Sequence, residues 1–386
     1  MSMTSRERIW TSLNHKEPDR IPVDLGGTIV TSICKGAYID LMDYLGFDLD
    51  EEKVAIMDVV QQLPVLDRRL LDWIGVDVLP LLPNPPSTWK LEIKDEGKYY
   101  SYVDEWGAKL YMPKGGYYFD YREFPLKEST LEALDKMNWP DPDDPARWEG
   151  LRERAEKLYR ETDYALVGSA LFGGGIFEHP ARIRGMEEFL MDTFSNIKFV
   201  EAVMEKMMEL YLRATENYLN EVGEFIQVFA YWDDVSTQNG PMVSPEFYRK
   251  YIKPKQKRLF DLIRSKTDAK IFMHSCGACY EFIPDYIEIG VDILNPVQIS
   301  ADGMGDTAKL KREFGNDIVF WGGGIHSQRV LPFGTPEEIR EDVKRRIDDL
   351  APGGGFIFNA VHNMQNFIPP DNIVEMYKTL KENWEY

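Results

Sequence analysis

The sequence is short of cysteine, of histidine and of positive charge. Three cysteines in 386 residues cannot build a disulfide framework, which excludes the small stapled scaffolds of secreted proteins and points to a reducing compartment. Lys and Arg number 45 against 65 Asp and Glu, a formal net charge of −20. That balance argues against nucleic acid or an anionic membrane as the main partner, because both demand a basic face. No stretch approaches the roughly 18 uncharged apolar residues of a membrane span. Residues 1–16 are polar and charged, without the apolar core of a secretory signal. The expectation is a cytoplasmic protein with no membrane partner. There is no repeat at solenoid periods and no low-complexity tract. The composition, 44% hydrophobic and 28% charged, is that of a folded globule with ample core.

Short apolar runs alternate with turns and amphipathic helical stretches. Eight runs are β-branched or aromatic, as in strands buried on both faces: 21–25, 76–82, 164–168, 225–231, 270–274, 291–296, 317–321 and 355–359. Helical periodicity covers 187–222, 245–265 and 336–350. The last opens Thr335-Pro336-Glu337-Glu338, with a capping Thr, Pro at the first helical position and acids in the first turn. The alternation predicts an α/β fold, one (β/α)8 TIM-barrel domain over residues 1–386, with a doubly wound open sheet as the alternative. Residues 89–126 break the alternation and read as a small antiparallel insertion. Residues 139–145, rich in Pro and Asp, read as a linker.

Active sites of such barrels gather where strands end, and there the scarce residues cluster. Of five histidines, His274, His326 and His362 fall at or just after predicted strands, and Cys276 and Cys279 follow the first of them. In an extended segment, residues i and i+2 face the same side, so His274 and Cys276 can reach one ion. With His362 near the last strand, three ligands and an open position would make a catalytic zinc site. Cys279 would complete a structural one. The plainer alternative is a buried thiol beside an imidazole satisfied by backbone. Asp233, Asp234 and Tyr231, after the fourth run, are candidate acids, and Asp24 ends the first run. His326, Asn363 and Gln365 are candidate substrate contacts. For each of these a capped or salt-bridged loop explains the residue as well. The triplets Gly173–Gly175 and Gly322–Gly324 suit tight turns or a phosphate cradle. His15 and His179 read as surface or capping residues, and Cys34 as a small hydrophobe. Trp89, Trp106, Tyr117, Tyr118, Phe119 and Tyr121 suggest an aromatic lid, or the ordinary packing of a small sheet.

Several motifs together resemble the uroporphyrinogen decarboxylase superfamily. These are Arg6 to Asn14, Glu17-Pro18-Asp19-Arg20-Ile21-Pro22-Val23, Gly240-Pro241-Met242-Val243-Ser244-Pro245, His274-Ser275-Cys276-Gly277 and Gly334-Thr335-Pro336-Glu337. The resemblance spans essentially the whole chain and implies a (β/α)8 barrel. It also implies one of two chemistries: cofactor-free decarboxylation of a porphyrinogen, or zinc-dependent methyl transfer to or from a corrinoid protein. The decarboxylases carry an Arg-rich loop near the N-terminus, but residues 23–32 here hold no Arg. The methyltransferases carry His-x-Cys and a third ligand, a Cys, ten residues before an Asn. Ten back from Asn372 is His362, so His replaces Cys. Two imidazoles and one thiolate make a harder site, better suited to polarising an oxygen than a thiol. The resemblance thus implies zinc on His274, Cys276 and His362, with a small O-methyl donor, an aryl ether, demethylated by the corrinoid of a partner protein. A porphyrinogen decarboxylase and a non-catalytic tetrapyrrole- or corrinoid-binding barrel are the other readings. The barrel family often dimerises, so a homodimer is a further expectation.

Overall fold

The computed structural model describes residues 2–169 and 171–386. Its centre is a sheet of seven parallel strands in chain order. They are β1 (Val78–Leu81), β2 (Ala165–Ser169), β3 (Val228–Trp232), β4 (Lys270–His274), β5 (Ile293–Asn295), β6 (Val319–Trp321) and β7 (Phe356–Ile357). Each matches one of the expected runs, trimmed or shifted by a few residues. Nearly every residue in them is buried, as strands covered by helices outside and packed against one another inside must be.

The eighth run, 21–25, is not a regular strand, yet it joins the two edges of the sheet. Val23 bridges Phe358 in parallel sense, with Phe358 N donating to Pro22 O at 2.8 Å and Asp24 N to Phe358 O at 2.9 Å. On the other side Asp77 N donates to Val23 O at 2.8 Å. The ladder stops there for two reasons. Pro22 has no N–H to give, and the Val23 N–H is taken by the Asp77 carboxylate at 2.9 Å. The barrel therefore closes through a seam rather than a full strand.

Helices cover the outside. The stretch 187–222 divides into Met186–Ser195 and Ile197–Val222, because the Asn196 side chain caps the second helix by accepting from Phe199 N. The stretch 245–265 is interrupted by a π turn, Tyr248–Ile252, just before Lys253–Lys266. Pro254, without an N–H, cannot continue the i→i−4 ladder there. Pro336–Leu350 carries the full reciprocal cap between Thr335 and Glu338.

The insertion is a separate four-stranded antiparallel sheet, Lys94–Asp95, Tyr99–Val103, Lys109–Pro113 and Asp120–Glu123, with its own small core of Tyr102, Ala108, Leu110 and Phe119. Two short hairpins were not expected: Ile56–Asp58 with Leu63–Pro64, and Ser236–Thr237 with Gly240–Pro241. No helix among the described residues is long and apolar enough to cross a membrane.

Candidate functional site

The end of β4 is where the chemistry collects. Strand register puts His274 between Trp232 on β3 and Asn295 on β5. The Asn295 amide is oriented by donating Nδ2–H to Trp321 O at 2.8 Å, which turns its Oδ1 to the His274 Nδ1 at 2.6 Å. The ring proton is thereby held on Nδ1, and the Nε2 lone pair faces the Cys276 sulfur at 3.3 Å. Backbone contacts fix the turn: Cys276 N donates to Asp234 Oδ1 at 2.7 Å and Gly277 N to Gln298 Oε1 at 2.7 Å. Gly277 has φ +93°, and a Cβ there would meet the Thr237 carbonyl oxygen at 2.4 Å, so no other residue fits the turn.

His362 arrives from the loop after β7. It adopts φ +62°, a left-handed conformation unusual outside glycine. Its ring lies edge-on to that of His274, with centroids 5.2 Å apart. One donor atom from each of His274, Cys276 and His362 lies within 4.8 Å of the others. Burial pulls the His274 imidazole down to about 4 and that of His362 to about 3, so both rings are neutral near pH 7. Burial, then Asp234, pushes the Cys276 thiol well above its ordinary range. Two neutral imidazoles and a sulfur, with one imidazole already oriented by an amide, suit zinc. Ligand atoms on one zinc lie about 3.3–4 Å apart, so His362 would close in slightly. Its Nδ1 accepts from Asn363 N at 2.7 Å. That contact must be exchanged, or the Nε2 proton lost, for the ring to serve as a ligand.

The remaining candidates are spread more widely. Cys279 is buried against Met304, sulfur to sulfur 4.0 Å, and stands apart from the cluster because it begins the 3₁₀ turn Tyr280–Phe282, facing the core. His326 lies outside the cavity, where its amide donates to Asp342 at 2.8 Å. Asp233 accepts from the amides of Ile176, Phe177 and Glu178, from Tyr231 Oη and from Gln256. It therefore braces the chain entering the helix Glu178–Arg184, and Tyr231 is consumed in the same network. Asp24 accepts from Gly27 N and Trp321 Nε1, both at 2.8 Å. Asn363 accepts from Ser32 N and donates to Ile29 O and Gln61 Oε1. Gln365 donates to Asn363 O and accepts from Tyr118 Oη. None of these seven side chains lines the cavity.

Asp234 does line it. The cavity holds about 610 Å³, and its wall includes His274, His362, Asp234 and Trp232 from the barrel. The insertion contributes Trp89, Tyr102, Asp104, Trp106, Phe119 and Tyr121, while Asp58 comes from the first hairpin. The expected aromatic lid is thus a wall of the cavity, although Tyr117 is exposed and Tyr118 points to Gln365. The helix Glu178–Arg184 adds Glu178, His179 and Arg182, none of which the sequence analysis placed in a site. Glu178 and Arg182 pair at 2.5 Å across one helical turn. His179, expected at the surface, is buried, with its ring 3.9 Å from that of Trp106. A signal was present in the i,i+4 Glu–Arg spacing directly after Gly173–Gly175. Those glycines serve packing: a Cβ on Gly175 would sit 2.4 Å from the Asp233 carboxyl carbon.

The uroporphyrinogen decarboxylase (URO-D) family model matches residues 103–383. The chain belongs to the uroporphyrinogen decarboxylase family. Its relatives include the uroporphyrinogen decarboxylase of Thioalkalivibrio sulfidiphilus, 22% identical over 68% of this chain and 72% of that protein. The enzyme of the same name from Geobacter sp. strain M21 is 26% identical over 58% and 62%. Among solved structures, a methyltransferase from Methanosarcina mazei superposes over 99% of both chains with a TM-score of 0.64 at 16% identity, a likeness of fold. Membership of the family accounts for the barrel.

Proposed function

We propose that this family member is a zinc-dependent methyltransferase that takes the methyl group of an O-methyl donor, an aryl ether, and passes it to the cob(I)alamin of a corrinoid protein. The observation that carries this reading is the convergence of His274, Cys276 and His362, whose two imidazoles line an aromatic cavity. Zinc bound by them would supply a Lewis acid for the donor oxygen. In the transfer, the methyl carbon–oxygen bond breaks with its electron pair on oxygen, and the partner's corrinoid takes the methyl group. This chain's part is to orient and to exclude water. Asn295 holds the His274 tautomer, the aromatic wall receives the aryl ring, and Asp234 is the one candidate acid that faces the donor. A methyl acceptor so large must meet the cavity on a separate protein.

The relatives' name favours decarboxylation as a second reading, and the cavity wall argues against it. A polycarboxylate porphyrinogen needs cations, and the single Arg on the wall, Arg182, is already bound to Glu178. Arg8 and Arg20, near the N-terminus, are spent on Asp19 and Asp77.

Metal analysis of the purified protein, paired with a methyl-transfer assay on the cognate corrinoid protein, tests the proposal. We expect one zinc per chain, lost in His274→Ala and Cys276→Ala and retained in His362→Cys. Asn295→Ala should weaken zinc about 10- to 100-fold by releasing the His274 ring. A metal-free protein that turns over a porphyrinogen would overturn the reading. So would a His362→Ala variant with unchanged metal and activity.

A further inference from the structure

The charge on the cavity wall is lopsided in a way that the metal cluster does not explain. Six carboxylates face the space: Asp58, Asp104, Glu105, Asp120, Glu178 and Asp234. Arg182 is spent on Glu178, through both Nε and Nη2, and Arg147 reaches Glu105 at 2.5 Å. Asp120 is exposed and has Arg122 beside it at 3.3 Å. Asp58, Asp104 and Asp234 have no ion-pair partner among the described residues. In Asp104 the Oδ1 atom accepts from Trp106 N and Ala108 N, and in Asp58 the Oδ1 atom accepts from Gln61 N. The second oxygen of each carries no hydrogen bond among the described residues.

A second observation is independent of these acids. Tyr102 is only 3% exposed and Trp106 5%, and both line the cavity. The Tyr102 hydroxyl and the Trp106 indole N–H have no hydrogen-bond partner among the described residues. These two polar tips are reached only from the cavity, where a ligand can pair with them. Aromatic faces beside uncompensated carboxylates are the combination that holds an organic cation, by cation–π attraction and by charge.

We infer that the methyl donor of this site carries an ammonium group, held by Asp58 and Asp104 against Tyr102 and Trp106, while its O-methyl group faces His274 and His362. The inference rests on the methyl-transfer reading and narrows its donor to cationic ethers. Burial, only partly offset by the more distant charge of Arg182, raises Asp104 to about 7 and moves Asp58 upward too, as expected of carboxylates without a direct ion-pair partner. An ammonium group supplies that charge and lets both ionise.

The test is calorimetric binding of three matched probes to the protein as isolated: para-methoxybenzylammonium, para-methoxybenzyl alcohol and para-methoxybenzoate. We expect the ammonium compound to bind at least about tenfold more tightly than the alcohol, with the benzoate weakest. Asp104→Asn and Asp58→Asn each keep the oxygen that caps its turn and remove the charge. Each should bring the ammonium and alcohol affinities together while leaving the alcohol's own affinity and the thermal midpoint near wild type. Equal or tighter binding of benzoate, an ammonium preference untouched by both variants, or no binding by any probe would overturn the inference. Selective ammonium binding without demethylation by a competent corrinoid partner would leave the charge preference standing and defeat the methyl-transfer reading alone.

Discussion

His179 shows how far burial can recast a residue. As a lone imidazole on an amphipathic stretch it reads as a cap. In the fold it lies against Trp106 and bonds the Gly173 carbonyl oxygen through Nδ1. Burial, aided by the charge of Arg182, depresses it to about 3. The unfolded chain titrates near 6.5, so the folded state refuses a proton that the unfolded state accepts. The stabilisation from a neutral His179 is therefore complete above about pH 6.5 and is lost progressively as pH falls toward 3. Denaturant unfolding at pH 7.5 and 5.5 should show the wild type losing about 1.4 kcal/mol more than His179→Gln, which has no such proton to take up. Equal losses would mean that the ring is protonated in place. His362 makes the same point about position. Its spacing from Asn372 suggested a ligand, but the left-handed backbone that turns it toward His274 has no signature in the sequence.

At the scale of elements, the helix Glu178–Arg184 is held by a carboxylate from another strand end. Asp233 accepts three successive amides, from Ile176, Phe177 and Glu178, before the helix has formed its own bonds. These are donors that a helix start leaves unsatisfied, and an anion there is favoured by the helix dipole. Asp233→Ala should cost at least about 2 kcal/mol, read as a lowered denaturation midpoint, because buried N–H groups lose their acceptor. A chemical role would instead show as lost activity at unchanged stability. Thr335→Ala probes a cap far from the cavity. It removes one half of the reciprocal pair with Glu338 and should cost about 1 kcal/mol with no change in bound metal. That cap was readable from Thr335-Pro336-Glu337-Glu338 because capping is local chemistry. The bracing by Asp233 was not, because its partners lie 55 to 57 residues away.

For the whole molecule, the weak place is the barrel seam. Asp77 is fully buried and takes Arg8 at 2.7 Å, Arg20 at 2.8 Å and the Val23 amide at 2.9 Å. It ties the N-terminal helix Ser5–Leu13, the segment that closes the barrel and the start of β1 into one network. Removing one partner of a buried ion pair strands the other charge, so Asp77→Ala should cost about 3–5 kcal/mol. Hydrogen exchange at the Asp24 and Phe358 amides should quicken before that of amides in β4. If the seam amides stayed as protected as β4, closure would not depend on this network.

The order of elements, the parallel barrel, the antiparallel insertion and the His-x-Cys turn were all readable from the sequence, because each follows from local periodicity or from two residues on one strand. The eighth run has the pattern of a strand, and only the fold shows why it is a seam: Pro22 and the side chain of Asp77 remove the donors that a ladder needs. Likewise, sequence separation set Asp233, Asp234 and Tyr231 side by side as equals. The tertiary structure turned Asp234 into the cavity and locked the other two behind it, since successive side chains leaving a strand end face different environments. The acidic side of the cavity wall belongs wholly to the fold, whereas the aromatic residues Trp89, Trp106, Phe119 and Tyr121 are already grouped in the sequence. The acidic residues come from a hairpin near position 58, an insertion near 104 and a helix near 180, and no periodicity links segments whose proximity arises only when the barrel closes and the insertion packs beside it.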